Sequence, residues 1–264
     1  QANPADAVVR EQFANGLFNT LYDAWEENDL KRRDALLDEL RKLSQACPAD
    51  EVVREQLANG LVNTLNAAKK ENDLKRRDAL LDELRKLWQA CPASEGLSGQ
   101  LAMGLFHALN AAREENDLKR RDALLDELRK LCQVNPAEAA VRERLAKSLF
   151  NAINAAKEEK DLKRRDALLD ELRELSQANP ADAVVREQFA NGLFNTLYDA
   201  KEENDLKKRD ALLDELRRLF KAHPADAVVR ERLVNGLRAT LNAAREENDL
   251  KRRDALLDEL RAFK

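Results

Sequence analysis

NPADAVVREQFANGLFNTLYDAWEENDLKRRDALLDELRKLSQA, residues 3–46, is one unit, and five further versions follow it at the same spacing. The 264 residues are six times 44, and all the prolines present (Pro4, Pro48, Pro92, Pro136, Pro180 and Pro224) stand 44 apart. Counted from the first residue, the repeats are 1–44, 45–88, 89–132, 133–176, 177–220 and 221–264. They form a single repeat domain that leaves no room for an unrelated second one.

Asn3-Pro4-Ala5-Asp6 reads as a helix start, with an Asn N-cap, Pro at the first helical position and an acid in the first turn. The cap slot holds Asn3, Cys47, Cys91, Asn135, Asn179 and His223, so His223 is expected as a substituted cap rather than a ligand or base. A first helix is predicted from about Pro4 to Glu27. Val9, Phe13, Leu17 and Leu21 form one i, i+4 stripe, and Ala14 and Phe18 a second. Two stripes are too wide for a helix with one partner, so this helix should lie between its own hairpin mate and a neighbouring repeat.

Asn28-Asp29 interrupts the pattern, and Asp29 is a suitable N-cap for the next helix, repeated as Asp73, Asp117, Asp161, Asp205 and Asp249. The second helix, about Leu30 to Gln45, is expected to turn Leu30, Leu36, Leu37, Leu40 and Leu43 inward. Lys31, Arg32, Asp34, Asp38, Glu39, Arg41 and Lys42 would face water, with Asp38 and Lys42 as an i, i+4 pair.

Gly16 sits in mid-helix, where glycine costs about 1 kcal/mol relative to alanine. Gly60, Gly104, Gly192 and Gly236 repeat it, with Ser148 once, so close approach of a neighbouring helix is the expected reason. The third copy instead carries Gly96 and Gly99 in its first turns. They should fray that start by about one to two kcal/mol, and a hinge is the functional reading of such a site.

Charged residues make up 36% and hydrophobic ones 44%, outside the range of disordered chains. A net charge of −4 with both signs interspersed argues against a strongly basic nucleic-acid binder. No apolar run approaches the ~20 residues that cross a bilayer, and no leader-like segment points to secretion, so no membrane partner is expected. The chain begins at Gln1 without methionine, which leads us to expect a fragment or a processed protein. Cys47, Cys91 and Cys132 read as free thiols of a reducing, cytoplasmic compartment. Cys47 and Cys91 share a slot, hence roughly the 10 Å of packed helices, beyond the reach of a disulfide.

Each hairpin leaves an apolar face that a neighbour must cover, which gives an all-α solenoid of αα-hairpins. The slot of Phe18, Val62, Phe106, Phe150 and Phe194 becomes Arg238 in the last copy, as in the terminal repeat of an open stack. A repeating helical hairpin of this kind resembles the tetratricopeptide family. Leu36, Leu40, Leu43 and Pro48 match the spacing of that family's second-helix motif, with leucines where small residues are usual. In the first helix Phe13, Ala14 and Leu17 fit, Arg10 stands where tryptophan is usual, and the unit is about ten residues longer than the family's roughly 34. The resemblance implies an open right-handed superhelix whose first helices line a concave, protein-binding surface. Stacking of the armadillo or HEAT kind shares the period and stays an alternative.

Three slots on the first helix, at i, i+4 and i+7, carry a ladder of asparagines on one face. The first slot holds Asn15, Asn59, Asn191 and Asn235, with Met103 and Lys147 in the other copies. The second holds Asn19, Asn63, His107, Asn151 and Asn195, ending in Ala239. The third holds Tyr22, Asn66, Asn110, Asn154, Tyr198 and Asn242. A carboxamide both donates and accepts, so such a row suits the backbone of an extended peptide, with the tyrosines as side-chain anchors. Some tetratricopeptide superhelices bind peptides this way. The competing reading is a solvated or self-bonded polar face.

The expected function is a protein-interaction scaffold for an extended peptide or protein segment. One alternative is a structural or engineered array without a dedicated ligand, associating end to end. Residues 4–24 and 180–200 are one string, which signals recent amplification or a consensus. Scattered changes (Trp25, Trp88, Cys132 and Phe220) favour a natural array or one derived from it. The other alternative is nucleic-acid backbone binding through the recurrent Lys31-Arg32-Arg33 row, disfavoured by flanking Asp29 and Asp34 and the lack of interleaved aromatics. No cofactor, metal or catalytic constellation is expected.

Overall fold

The computed structural model describes residues 7–71 and 73–263. Its helices are α1 (Ala7–Glu26), α2 (Leu30–Ala46), α3 (Glu51–Lys70), α4 (Leu74–Ala90), α5 (Glu95–Glu114) and α6 (Leu118–Val134). There follow α7 (Ala139–Glu158), α8 (Leu162–Ala178), α9 (Ala183–Glu202), α10 (Leu206–Ala222), α11 (Ala227–Glu246) and α12 (Leu250–Arg261). Among the described residues there is no strand. The chain divides into two compact units, Gln1–Leu145 and Ala146–Lys264, with the division inside α7.

In the first unit the helices of each hairpin pack together, α1 on α2, α3 on α4 and α5 on α6. Helix α3 also packs on α1 and α5, while α2 and α4 each reach the next odd helix. The second unit repeats the scheme, with α9 on α10, α11 on α12, α9 on α11, α8 on α9 and α10 on α11. Among the described residues of each unit no even helix packs its backbone on another even helix. Within each unit the odd helices therefore form an inner layer and the even ones an outer layer. The core lies between them, in leucine and alanine slots such as Ala58, Leu61, Leu65, Leu81 and Leu84.

The hairpin turn follows from Asn28-Asp29. Asn28 adopts φ 56, the left-handed conformation that asparagine tolerates, and the Asp29 N–H closes α1 by donating to the Ala24 carbonyl at 2.9 Å. The Asp29 carboxylate then accepts from the Arg32 N–H at 3.0 Å, and Asp73, Asp117, Asp161, Asp205 and Asp249 cap their helices in the same way. The glycine slot also meets its expectation. A Cβ on Gly60 would lie 2.9 Å from a methyl of Leu21, and one on Gly104 2.8 Å from a methyl of Leu84. Gly16, in the first copy, meets nothing within 4 Å among the described residues.

Several expectations are corrected. Cys47, Cys91, Asn135, Asn179 and His223 are not N-caps; each is the C-cap of the preceding even helix. The His223 N–H donates to the Leu219 carbonyl at 3.0 Å. Its own carbonyl accepts from Asp226 at 3.1 Å, so His-Pro-Ala-Asp is a turn with proline at its second position. The N-cap moves three residues on, to Asp182 and Asp226, whose carboxylates each accept two N–H groups, and to Ser94 in the third copy. The first-copy cap at Asn3 and Pro4 lies outside the described residues.

Leu30 and its five counterparts are exposed, since a first-turn side chain leans back past the helix start toward water. Asp38 pairs with Arg41 at 2.6 Å rather than with Lys42, because Arg41 is also drawn across to Glu83 of the next outer helix at 2.7 Å. Helix α5 is not shortened by its glycines; it spans 20 residues, as α3 does. The space they leave takes carboxylates: a Cβ on Gly96 would collide with Glu55 Oε1, and one on Gly99 would lie 3.0 Å from Glu138 Oε1.

Candidate peptide-binding face

The asparagine ladder lies along the inner helices, and part of it is engaged between repeats. In the first unit Gln56 Nε2 donates to Asn15 Oδ1 at 2.9 Å, and Asn59 Nδ2 donates to Gln56 Oε1 at 3.3 Å. In the second unit Asn195 Nδ2 donates to Asn154 Oδ1 at 2.9 Å, and Arg232 Nε to Asn191 Oδ1 at 2.6 Å. The Gln56–Asn15, Asn195–Asn154 and Arg232–Asn191 bonds join adjacent odd helices and fix the spacing of the ladder, while the Asn59–Gln56 bond lies within α3 and orients the Gln56 side chain. His107, half-buried, lies edge-on to Phe106 with centroids 6.0 Å apart, and Asn110 and Asn151 are half-buried as well.

Among the described residues Asn19, Asn63, Asn66, Asn235 and Asn242 make no side-chain hydrogen bond; Asn19 and Asn242 are exposed and the other three half-buried. Tyr22 and Tyr198 are both exposed. The Tyr22 ring leans on Trp25 at 5.7 Å. The Lys157 Nζ lies 5.9 Å from the Tyr198 centroid, and its pairing with buried Asp199 holds that ammonium above its ordinary pKa. Arg165 Nη1 approaches the same carboxylate at 3.4 Å, so the Tyr198 end of the ladder has a cationic setting that the Tyr22 end lacks.

The outer face is an ionic lattice. Arg33, expected in a solvent-facing basic row, is 2% exposed and donates to Glu71 of the next repeat at 2.9 Å. Arg77 meets Glu115 at 2.7 Å, Arg165 meets Glu203 at 2.5 Å and Arg209 meets Glu247 at 2.9 Å. The Arg32 slot pairs backwards, Arg76 with Asp34, Arg120 with Asp78 and Arg252 with Asp210. A row whose arginines are paired across repeats presents little unmatched positive charge to a phosphate backbone. Glu83, Glu127 and Glu259 hydrogen-bond Arg41, Arg85 and Arg217 and hold those guanidiniums above their ordinary range.

Cys47, Cys91 and Cys132 are free thiols. Among the described residues no cluster of His, Cys, Asp and Glu is arranged to hold a metal ion, and no helix is long and apolar enough to cross a membrane. No known protein-family model matches the chain, and no curated protein matches it.

The sequence reading missed the slot of Gln56 and Arg232, which fastens the ladder. Its signal was there: a long donor side chain, Gln or Arg, three residues before the first asparagine slot in every copy.

Proposed function

We propose that the chain is a protein-interaction scaffold. In this reading its hairpins stack as an open, right-handed, tetratricopeptide-like superhelix, and an extended peptide lies along the inner helices. The support is one observation: carboxamides without protein partners recur on the inner layer of each unit, while neighbouring ladder residues are tied between repeats and keep them in register. A preorganised row of donor–acceptor groups bonds a peptide backbone without first ordering its own side chains. Tyr22 and Tyr198 are then the side-chain anchors. The test is binding of a diverse unstructured peptide library to the intact chain and to a variant with Asn63, Asn66, Asn235 and Asn242 changed to alanine. Binding lost in the variant at unchanged helicity supports the clamp. Binding equal in both, or absent from both, leaves an array without a dedicated ligand.

A further inference from the structure

Residues 4–24 and 180–200 are identical in sequence but meet different neighbours. In the fifth copy Val185 is fully buried and Phe189 is 4% exposed, with α8 packed against α9. Their counterparts in the first copy, Val9 and Phe13, are 39% and 42% exposed. The first copy thus keeps an apolar surface whose proper cover, inside this same chain, is the preceding repeat.

The other end carries the matching half. Within each unit Gly60, Gly104, Gly192 and Gly236 receive aliphatic side chains from the repeat before them, as Gly236 receives Leu197, Leu213 and Leu216. Leu213 and Leu216 are buried by that contact, whereas Leu257 and Leu260 of the sixth copy remain half-buried. Gly16, the receiving position of the first copy, is empty.

Charge agrees with shape. The fifth and sixth copies are joined by Arg217 to Glu259 at 2.5 Å and Arg209 to Glu247 at 2.9 Å. The same slots at the two ends are Arg261 and Arg253 on the sixth copy, and Glu39 and Glu27 on the first. Among the described residues both arginines are bonded only within their own helix, Arg261 to Asp258 and Arg253 to Asp254, each at 2.7 Å, while Glu27 is paired with Arg32 at 2.9 Å on the exposed surface and would exchange that partner on docking. Arg238 does not oppose the contact. Its slot faces the glutamine or arginine slot of the following repeat, as Arg232 lies over Phe194 at 5.7 Å, and the first copy offers Gln12 there, an acceptor for a guanidinium.

We propose that the α1–α2 face is a docking surface for the α11–α12 face of a second copy of this chain, in a head-to-tail contact that continues the repeat packing from one molecule into the next. The inference is independent of peptide binding on the inner helices.

Sedimentation equilibrium tests it. The intact chain should show a mass that rises with concentration. Gly16→Leu fills the receiving gap and Leu260→Glu spoils the inserting leucine, and each should raise the dissociation constant about tenfold or more. A mixture of the two variants retains one good face on each partner and should form a one-to-one complex. Should Gly16→Leu fail to fold, Phe13→Asp on the same face takes its place. A chain that stays monomeric to millimolar concentration overturns the proposal. So does self-association of either variant at the strength of the intact chain, or a mixture that remains monomeric.

Discussion

Lys160 stands in a turn position that asparagine fills in Asn28, Asn116, Asn204 and Asn248, and it takes the same left-handed conformation, φ 59. A long side chain there carries the steric cost of Cβ against the carbonyl, about 1 kcal/mol or more, which asparagine offsets by local hydrogen bonding. Lys160→Asn should therefore raise the midpoint of thermal unfolding by a few degrees, corresponding to about 1 kcal/mol. A lowered midpoint would mean that Lys160 is held by contacts outweighing the strain. Glu138 is the second residue out of place. Burial pushes its carboxyl up to about 7, against the opposing bonds from Ser98 and the Gly99 amide and with help from the negative charge of Glu95. The ordinary value is 4.5, so between 4.5 and 7 the folded chain holds a proton that the unfolded chain has released. The contribution is fully present below that window and lost as pH rises through it. Denaturant titrations across the window should show the intact chain losing stability relative to Glu138→Gln, which has no proton to lose; parallel curves would refute the assignment.

At the scale of elements, what couples one hairpin to the next is a buried guanidinium. Arg77 is 1% exposed, its Nη2 bonded to Glu115 while its buried Nε has no hydrogen-bond partner. Desolvating such a group costs energy that the pair only partly recovers, and removing one partner strands the other. Glu115→Ala should destabilise by about 2 kcal/mol, reduced from the fully buried case because Glu115 is itself a quarter exposed. Arg77→Met strands only Glu115, which is a quarter exposed and can hydrate, so it should cost clearly less than Glu115→Ala, and equal losses from the two changes would show that the ion pair itself is the stabilising element. None of this was legible in Lys-Arg-Arg: a charge between charges reads as a solvated face, and the partner that makes burial tolerable lies 38 residues away. The hairpins themselves were legible, since the Asp29 cap, the asparagine before it and the leucine stripe are local signals repeated six times. The shifted cap shows the limit of such signals. Asn-Pro and the aspartate two residues later both satisfy the rules for a helix start, and only the turn that closes His223 onto Asp226 decides between them. The candidate site was legible as a spacing of asparagines. Which carboxamides are taken up by a neighbouring repeat depends on side chains 41 residues apart, as between Gln56 and Asn15, and that is tertiary information.

For the molecule as a whole, the identical strings 4–24 and 180–200 provide an internal control. Intrinsic helix propensity, side-chain entropy and intrinsic exchange chemistry are equal for equal sequences, so a difference in protection between residues 7–24 of α1 and 183–200 of α9 reports packing rather than sequence. Helix α9 has α8 against it and buries Val185 and Phe189, whereas α1 leaves Val9 and Phe13 open. Full burial of an apolar side chain of this size is worth about 1.5 to 3 kcal/mol, and Val9 and Phe13 leave about two fifths of it unrealised, at 39% and 42% exposed, so the two sites together predict amide protection in α9 about tenfold or more above that in α1. Hydrogen exchange resolved by peptide mass, at low protein concentration, measures the difference directly. Equal protection would mean that the array unfolds as one cooperative block, with no fraying from its first repeat. Raising the concentration then separates fraying from docking: if the sixth copy of another molecule seats on α1, protection in α1 climbs toward that in α9 while α9 stays fixed. Gly16→Leu should abolish that climb without lowering the protection of α1 in the dilute chain, because nothing in the monomer occupies the space the new side chain fills.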